Sequence, residues 1–209
     1  MAKIGLIHCG TSNLTSVLHA LKYLSFDAAV LQSPEEISQF THLILPGVGS
    51  FPAGMKRLRE KGFVEPLHKA VDAGTPLLGI CLGMQLLATT GEEFGPTSGL
   101  GIIPGVVSRI RPSSEDFRIP HVGWNTLASR SAAPLWSELS AEATFYFVHS
   151  YAFTDLAQEY IAGTADHGGE FVCAVQDTRL GRRVYGAQFH PEKSQKDGLI
   201  LLKNFVEKC

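Results

Sequence analysis

Short runs of unbroken apolar residues alternate with stretches of helical periodicity through the first half of the chain, and this alternation restricts the fold more than any other feature of the sequence. Residues 3–8 form one apolar run, after which Leu14, Val17, Leu18 and Leu21 recur at the spacing of a helix that buries one face. Ser12 or Asn13 offers that helix the side-chain oxygen of an N-cap. Residues 28–31 and 42–47 predict two more strands, the second ending on the Pro46-Gly47 break. Residues 52–60, opened by Pro52, and 64–73 predict helices. A fourth strand over 75–80 runs directly into a helix over 82–89. Strands that are apolar throughout and separated by helices imply a mainly parallel sheet covered on both faces.

From Gly91 the pattern changes. Residues 106–111, 145–153, 160–165, 171–177 and 183–190 predict strands separated by Gly, Asp and Ser turns, some of them antiparallel. Residues 194–208 close the chain as a helix with Leu199, Leu202, Phe205 and Val206 on one side. The expected class is α/β: a mainly parallel central sheet with helices on both faces, plus additional antiparallel strands in the C-terminal half.

With 209 residues, 44% of them hydrophobic and 18% charged, the chain can bury one sizeable core, and residues 1–209 are expected to form a single domain. Ser113-Ser114-Glu115-Asp116 predicts a loop, and nothing resembles an interdomain linker or a repeat. A formal charge of −2 without blocks of either sign gives no footprint for nucleic acid. No apolar run approaches the ~18 residues of a membrane span, and the N-terminus lacks the pattern of a signal peptide, so a cytoplasmic protein is expected. Cysteines at 9, 81, 173 and 209 contain no C-x-x-C pair, which predicts free thiols and no zinc site. Asn13-Leu14-Thr15 matches a glycosylation signal but reads as a helix start.

Gly79-Ile80-Cys81-Leu82-Gly83 places G-x-C-x-G between an apolar strand and a helix, the context of a nucleophile elbow with cysteine as nucleophile. The two glycines let strand and helix pack closely, and the helix N-terminus would favour the Cys81 thiolate. The N–H of Leu82 would point to the same place as an oxyanion donor. Taken alone, the same residues also describe a buried cysteine in a tight turn. A thiolate nucleophile calls for an oriented base. His8, His19, His42, His68 and His167 lack a partner pattern, whereas His190 ends an apolar strand and precedes Pro191-Glu192. In an extended segment Glu192 would face the same way as His190 and could orient it, although a strand-end histidine beside a solvated glutamate would read identically. Cys81, His190 and Glu192 are the candidate triad.

Together these residues resemble the triad (class I) glutamine amidotransferases, which carry G-x-C-x-G on the elbow and H-P-E near the C-terminus. The segments 45–51, 79–87, 120–125 (Pro-His-Val-Gly-Trp-Asn), 145–151 (Phe-Tyr-Phe-Val-His-Ser-Tyr) and 188–194 (Gln-Phe-His-Pro-Glu-Lys-Ser) are similar to the glutaminase subunits of imidazole glycerol phosphate synthase. The resemblance spans the whole chain and implies a flavodoxin-like fold. It also implies hydrolysis of glutamine, with ammonia passed to a (β/α)8-barrel cyclase subunit in a heterodimer. The cyclase of that family converts PRFAR to imidazole glycerol phosphate and AICAR in histidine biosynthesis. By the same resemblance, Leu82, Gly47 and Val48 supply the oxyanion site, and Gln85, Glu93, Ser150 and Tyr151 line the glutamine pocket. Trp124, Asn125, Tyr146 and Lys193 face the partner. No metal or organic cofactor is implied, since the chemistry needs only thiolate, acid–base and oxyanion groups.

The chain departs from this pattern after its first strand, where His8-Cys9-Gly10-Thr11-Ser12-Asn13 keeps only Gly10 and Asn13 of the family's segment. That segment lies toward the partner in the family, so a related subunit supplying ammonia for sugar amidation in surface-polysaccharide synthesis is the main alternative. A standalone cysteine hydrolase would use Cys81 and His190 without the partner-facing residues, and a regulatory module would have no use for an intact triad.

Overall fold

The computed structural model describes residues 2–8 and 13–209; the expectations for Cys9, Gly10, Thr11 and Ser12 lie outside the described residues. In chain order the elements are β1 (Lys3–Leu6), α1 (Leu14–Tyr23), β2 (Asp27–Val30), β3 (His42–Gly47), α2 (Phe51–Glu60), α3 (Val64–Asp72), β4 (Leu77–Cys81) and α4 (Leu82–Leu86). They continue with β5 (Ala88–Gly91), β6 (Thr97–Ser98), β7 (Ile103–Arg109), β8 (His121–Thr126), β9 (Ser129–Arg130), β10 (Thr144–His149) and β11 (Tyr151–Leu156). The last are β12 (Ile161–Asp166), β13 (Glu170–Asp177), β14 (Val184–Ala187) and α5 (Gln195–Lys208).

The main sheet runs β2-β1-β3-β4-β14-β13-β11-β7-β5-β6, with β12 and β9 joined to it through β13. From β2 to β14 every neighbouring pair is parallel, whereas β13 pairs antiparallel with β14 and β11 antiparallel with β7. A mainly parallel half and a partly antiparallel half are therefore both present, as the hydrophobic patterning predicts. Along the parallel strands successive side chains enter opposite faces. Ile44, Leu78 and Ile80 pack with α1 and α5 residues such as Val17, Leu21, Leu202 and Phe205. Leu43, Leu45 and Leu77 pack on the other face with Met55, Leu58 and Leu67 of α2 and α3.

Three predicted elements are shorter than their periodicity suggests, one of them the strand expected over 183–190, which is Val184–Ala187. The helix expected over 82–89 ends at Leu86. Thr89 and Thr90 are β-branched, and the chain leaves the helix after Leu87 to pair with β7 through Ala88 and Ile103. The strand expected over 145–153 is two strands divided at Ser150: β10 pairs with β8 in a separate two-stranded sheet, and β11 joins the main sheet. Phe145 and Phe147 before the break and Ala152 and Phe153 after it are all buried, so hydrophobicity carries through the division unmarked.

The small sheet is seated on the main core by aromatic packing. Phe147 is fully buried, stacked on His121 at 4.9 Å and set edge-on to Phe189 at 5.5 Å and Phe171 at 5.9 Å. Truncating it leaves a cavity with little freedom to collapse. Phe147→Ala is expected to lower stability by about 3–5 kcal/mol in urea unfolding, and a midpoint equal to wild type would contradict this role.

Candidate active site

Parallel pairing brings the carboxyl ends of β3, β4 and β14 to one edge of the sheet, where Gly47 lies opposite Cys81 and Ala187 opposite Ile80. Such edges are where open α/β sheets place ligands. Cys81 ends β4 with φ 54° and ψ −111°, a conformation few side chains adopt. The adjacent glycines are steric requirements: a Cβ on Gly83 would stand 1.6 Å from the Leu45 carbonyl oxygen, and one on Gly79 would stand 2.7 Å from the Met84 nitrogen. The helix that follows has only five residues, so its dipole is smaller than the sequence suggests and the turn's own N–H groups matter more.

His190 lies three residues beyond the end of β14, not on the strand as expected, with its backbone N–H donating to the Tyr146 carbonyl at 2.9 Å. Ser194 Oγ donates to its carbonyl at 2.6 Å. Nδ1 lies 2.8 Å from Glu192 Oε1, and both side chains are buried. The pairing differs in origin from the extended segment expected: Pro191–Lys193 is a single 3-10 turn that folds Glu192 back onto the imidazole. Nε2 of His190 has no hydrogen-bond partner among the described residues and shares with Cys81 the lining of one cavity. Burial opposes the imidazolium, but the adjacent Cys81 sulfur and Glu192 carboxylate outweigh it and raise the pKa to about 9.

That cavity, of about 340 Å³, is lined by Val48, Gly49, Cys81, Leu82, Gln85, Glu93, Val148, His149, Ser150, Tyr151 and His190. Of two adjacent glutamates, Glu93 enters it and Glu92 lines a different cleft. The Glu93 carboxylate also accepts the Phe51 N–H at 2.8 Å, tying the wall of the cavity to the start of α2. Gln85 Nε2 donates to the Tyr151 carbonyl at 2.9 Å and to Gln188 Oε1 at 3.0 Å. Among the described residues no group of three or more His, Cys, Asp or Glu side chains is placed to hold a metal ion. Cys81, Cys173 and Cys209 are free thiols.

Trp124 and Tyr146 are cross-strand partners on β8 and β10, their rings 6.0 Å apart and edge-on, with Lys193 Nζ 5.8 Å from the Tyr146 ring. Trp124 is 48% exposed and Val122, two residues before it, 56%, so an apolar face stands open beside the His190 segment. Asn125 is separated from this group: its side-chain amide donates to the Asp166 carbonyl at 2.7 Å.

Several residues of the site escaped sequence reasoning. Asn13 does not cap α1 through its side chain. Its Nδ2 donates to Glu192 Oε1 at 3.2 Å, and its Oδ1 accepts from Ser16 Oγ at 2.7 Å. Gln188 lies within the H-P-E segment, but only the fold turns its amide toward Cys81. His149 Nδ1 lies 3.0 Å from the Tyr151 carbonyl, which can only accept, so Nδ1 carries the proton. Its Nε2 therefore accepts from His121 Nδ1 at 3.1 Å, and His121 stacks on His167 at 4.1 Å. Burial lowers the pKa of His149 to about 3 and of His121 to about 4, keeping both neutral.

A family model described as glutamine amidotransferase class-I matches residues 5–209. The chain is 48% identical over 203 residues to an imidazole glycerol phosphate synthase subunit HisH of Desulfitobacterium hafniense (strain DSM 10664 / DCB-2), covering 97% of this chain and 92% of that protein. It is 41% identical over 211 residues to the protein of the same name in Geobacter sulfurreducens, covering 99% of each. The fold is similar to PurLQS from Thermotoga maritima, with a TM-score of 0.75 at 18% identity and coverage of 99% of this chain and 98% of that one. A solved glutamine amidotransferase gives a TM-score of 0.72 at 20% identity, covering 98% and 97%.

The histidines predict opposite pH responses. The unfolded chain protonates His149 and His121 more readily than the native state, so native stability is expected to fall as pH drops below about 6.5, and His149→Gln to flatten that fall. His190 holds its proton more tightly when folded; its contribution is complete below about pH 6.5 and is lost as pH rises through about 9. Melting temperature against pH for wild type, His149→Gln and His190→Asn checks both signs.

Proposed function

Because the chain belongs to the class-I glutamine amidotransferase family, we propose that it is the glutaminase subunit of imidazole glycerol phosphate synthase. The observation that carries this reading is a strained Cys81 sharing one cavity with a His190 paired to Glu192. The names of its relatives favour the histidine-pathway synthase over ammonia supply for sugar amidation.

The Cys81 thiolate attacks the side-chain amide carbon of glutamine, and the electron pair of the C=O bond moves to oxygen. Backbone N–H groups of Leu82 and of the Gly47-Val48 turn hold the resulting oxyanion. Collapse of this intermediate breaks the C–N bond as the His190 imidazolium gives its Nε2 proton to nitrogen, releasing ammonia and leaving a thioester. His190, now neutral, removes a proton from water as that water attacks the thioester carbon. Glutamate leaves and the thiolate–imidazolium pair is restored. Glu192 keeps the Nδ1 proton in place throughout, so Nε2 is the nitrogen that exchanges protons. Gln85, Glu93, Ser150 and Tyr151 hold the substrate, with Glu93 the only acid among the described residues on the cavity wall and suited to an ammonium group.

Ammonia passes to a (β/α)8-barrel cyclase subunit in a cytoplasmic heterodimer, which uses it to convert PRFAR. The exposed face carrying Val122, Trp124, Tyr146 and Lys193 supports a docking role, because an aromatic anchor set among polar residues is the usual centre of a protein interface. Tyr146 also contributes the carbonyl that holds the His190 backbone, so a partner that moves β10 would move the acid–base residue.

Glutamate release should be low for the chain alone and rise strongly with the organism's cyclase subunit and PRFAR. Failure to respond to that cyclase, with Cys81 still labelled by a glutamine analogue, would point to another ammonia acceptor. Cys81→Ala is expected to cut glutamine-dependent synthesis by several orders of magnitude while ammonia-dependent cyclisation by the complex persists; loss of both in a folded complex would contradict separate sites. Trp124→Ala should weaken association by about 2 kcal/mol, roughly thirtyfold in Kd, with little change in melting temperature. An unchanged Kd from calorimetry would remove it from the interface.

A further inference from the structure

The mechanism above leaves one fully buried polar side chain beside the nucleophile without a task. Gln188 is 0% exposed, and its Nε2 lies 3.8 Å from Cys81 Sγ, a distance suited to an N–H···S contact. Its orientation follows from its neighbours. The Tyr151 carbonyl can only accept, so it takes a proton from Gln85 and turns the Gln85 NH2 inward. That NH2 also donates to Gln188 Oε1. Reversing the Gln188 amide would set two NH2 groups against each other, so its own NH2 must face the sulfur. His190 also stands beside the sulfur, and the Val148 carbonyl lies 4.0 Å from Sγ, an acceptor that suits a thiol and not a thiolate.

We propose that Gln188 is a hydrogen-bond donor to the reactive sulfur, holding Cys81 as the thiolate and aiming it into the cavity. The effect is electrostatic. A thiol accepts hydrogen bonds poorly, whereas a thiolate accepts them well, so a buried donor with this partner favours the anionic form. Because α4 is only five residues long, a further donor supplies what a longer helix dipole would otherwise contribute. The chain Tyr151–Gln85–Gln188–Cys81 also links a wall of the cavity to the nucleophile, so a ligand that displaced Gln85 would alter the donor. The inference rests on Cys81 being the nucleophile.

The test is the pH dependence of Cys81 alkylation by iodoacetamide in the full chain, followed on the Cys81 peptide by mass spectrometry. Gln188→Met keeps the shape and removes the donor. Its alkylation midpoint is expected to rise by about one pH unit, an alkylation rate on the order of tenfold lower at a fixed pH below the midpoint. In the complex with the cyclase, kcat for glutamine should fall with KM little changed. An alkylation profile superimposable on wild type in a folded Gln188→Met chain would overturn the proposal. If that variant does not fold, the assigned side-chain amide resonance of Gln188 in the wild-type chain serves instead: it should shift with the midpoint of Cys81 alkylation, and a resonance indifferent to that midpoint overturns the proposal. Cys81→Ala separates the two readings, because full glutaminase activity in that variant would remove the nucleophile itself.

Discussion

At residues 79–83 the backbone of a central strand turns into a helix with no space for a Cβ on either glycine, and Cys81 is forced to positive φ between them. The cost of that conformation, of order 1–3 kcal/mol, is met by everything packed around it. Leu45 of β3 closes on Gly83 from one side, β14 pairs with β4 from the other, and the two apolar layers clamp the sheet from above and below. Relaxing this turn would withdraw the sulfur from the cavity and separate it from the H-P-E segment that β14 delivers. The parallel register of β3, β4 and β14 is thus what makes a site out of residues far apart in sequence.

Around this turn the buried polar groups form a connected set. Glu192 takes hydrogen bonds from His190 and Asn13, so α1 and the C-terminal segment converge on one carboxylate oxygen. Gln85 and Gln188 connect the cavity wall to the sulfur, and His149 connects it to His121 and the small sheet. In a low-dielectric interior each of these groups would be expensive alone and is tolerated because it has a partner. Among the described residues, His190 Nε2 and Glu192 Oε2 are the buried atoms of this set without a hydrogen-bond partner, and the first is the nitrogen that the proposed proton exchange would use.

The two-stranded sheet serves both sides of the molecule. Its inward residues Phe145 and Phe147 are buried, and its outward residues Val122 and Trp124 are exposed. The Tyr146 carbonyl binds the His190 backbone while the Tyr146 ring stands beside Trp124. One strand therefore lies between an outer face and the His190 backbone.

The alternation of apolar runs and helices determined the class of the fold, since strands buried on both faces have no other architecture available. G-x-C-x-G and H-P-E pointed to the proposed chemistry, because a nucleophile on a tight turn and an oriented base need those residue types at that spacing. Periodicity could not reveal the early end of α4 or the division at Ser150, where burial continues unchanged while the pairing partner changes. Nor could it reveal that Asn13 turns from capping its helix to bind Glu192, or that Gln188 faces sulfur, since a hydrogen bond between residues more than a hundred positions apart leaves no local trace. The residues proposed as reacting groups stand in local motifs and so were readable from sequence. Their partners and orientations came from strand register and from which buried donors met which acceptors, which only the tertiary structure decides.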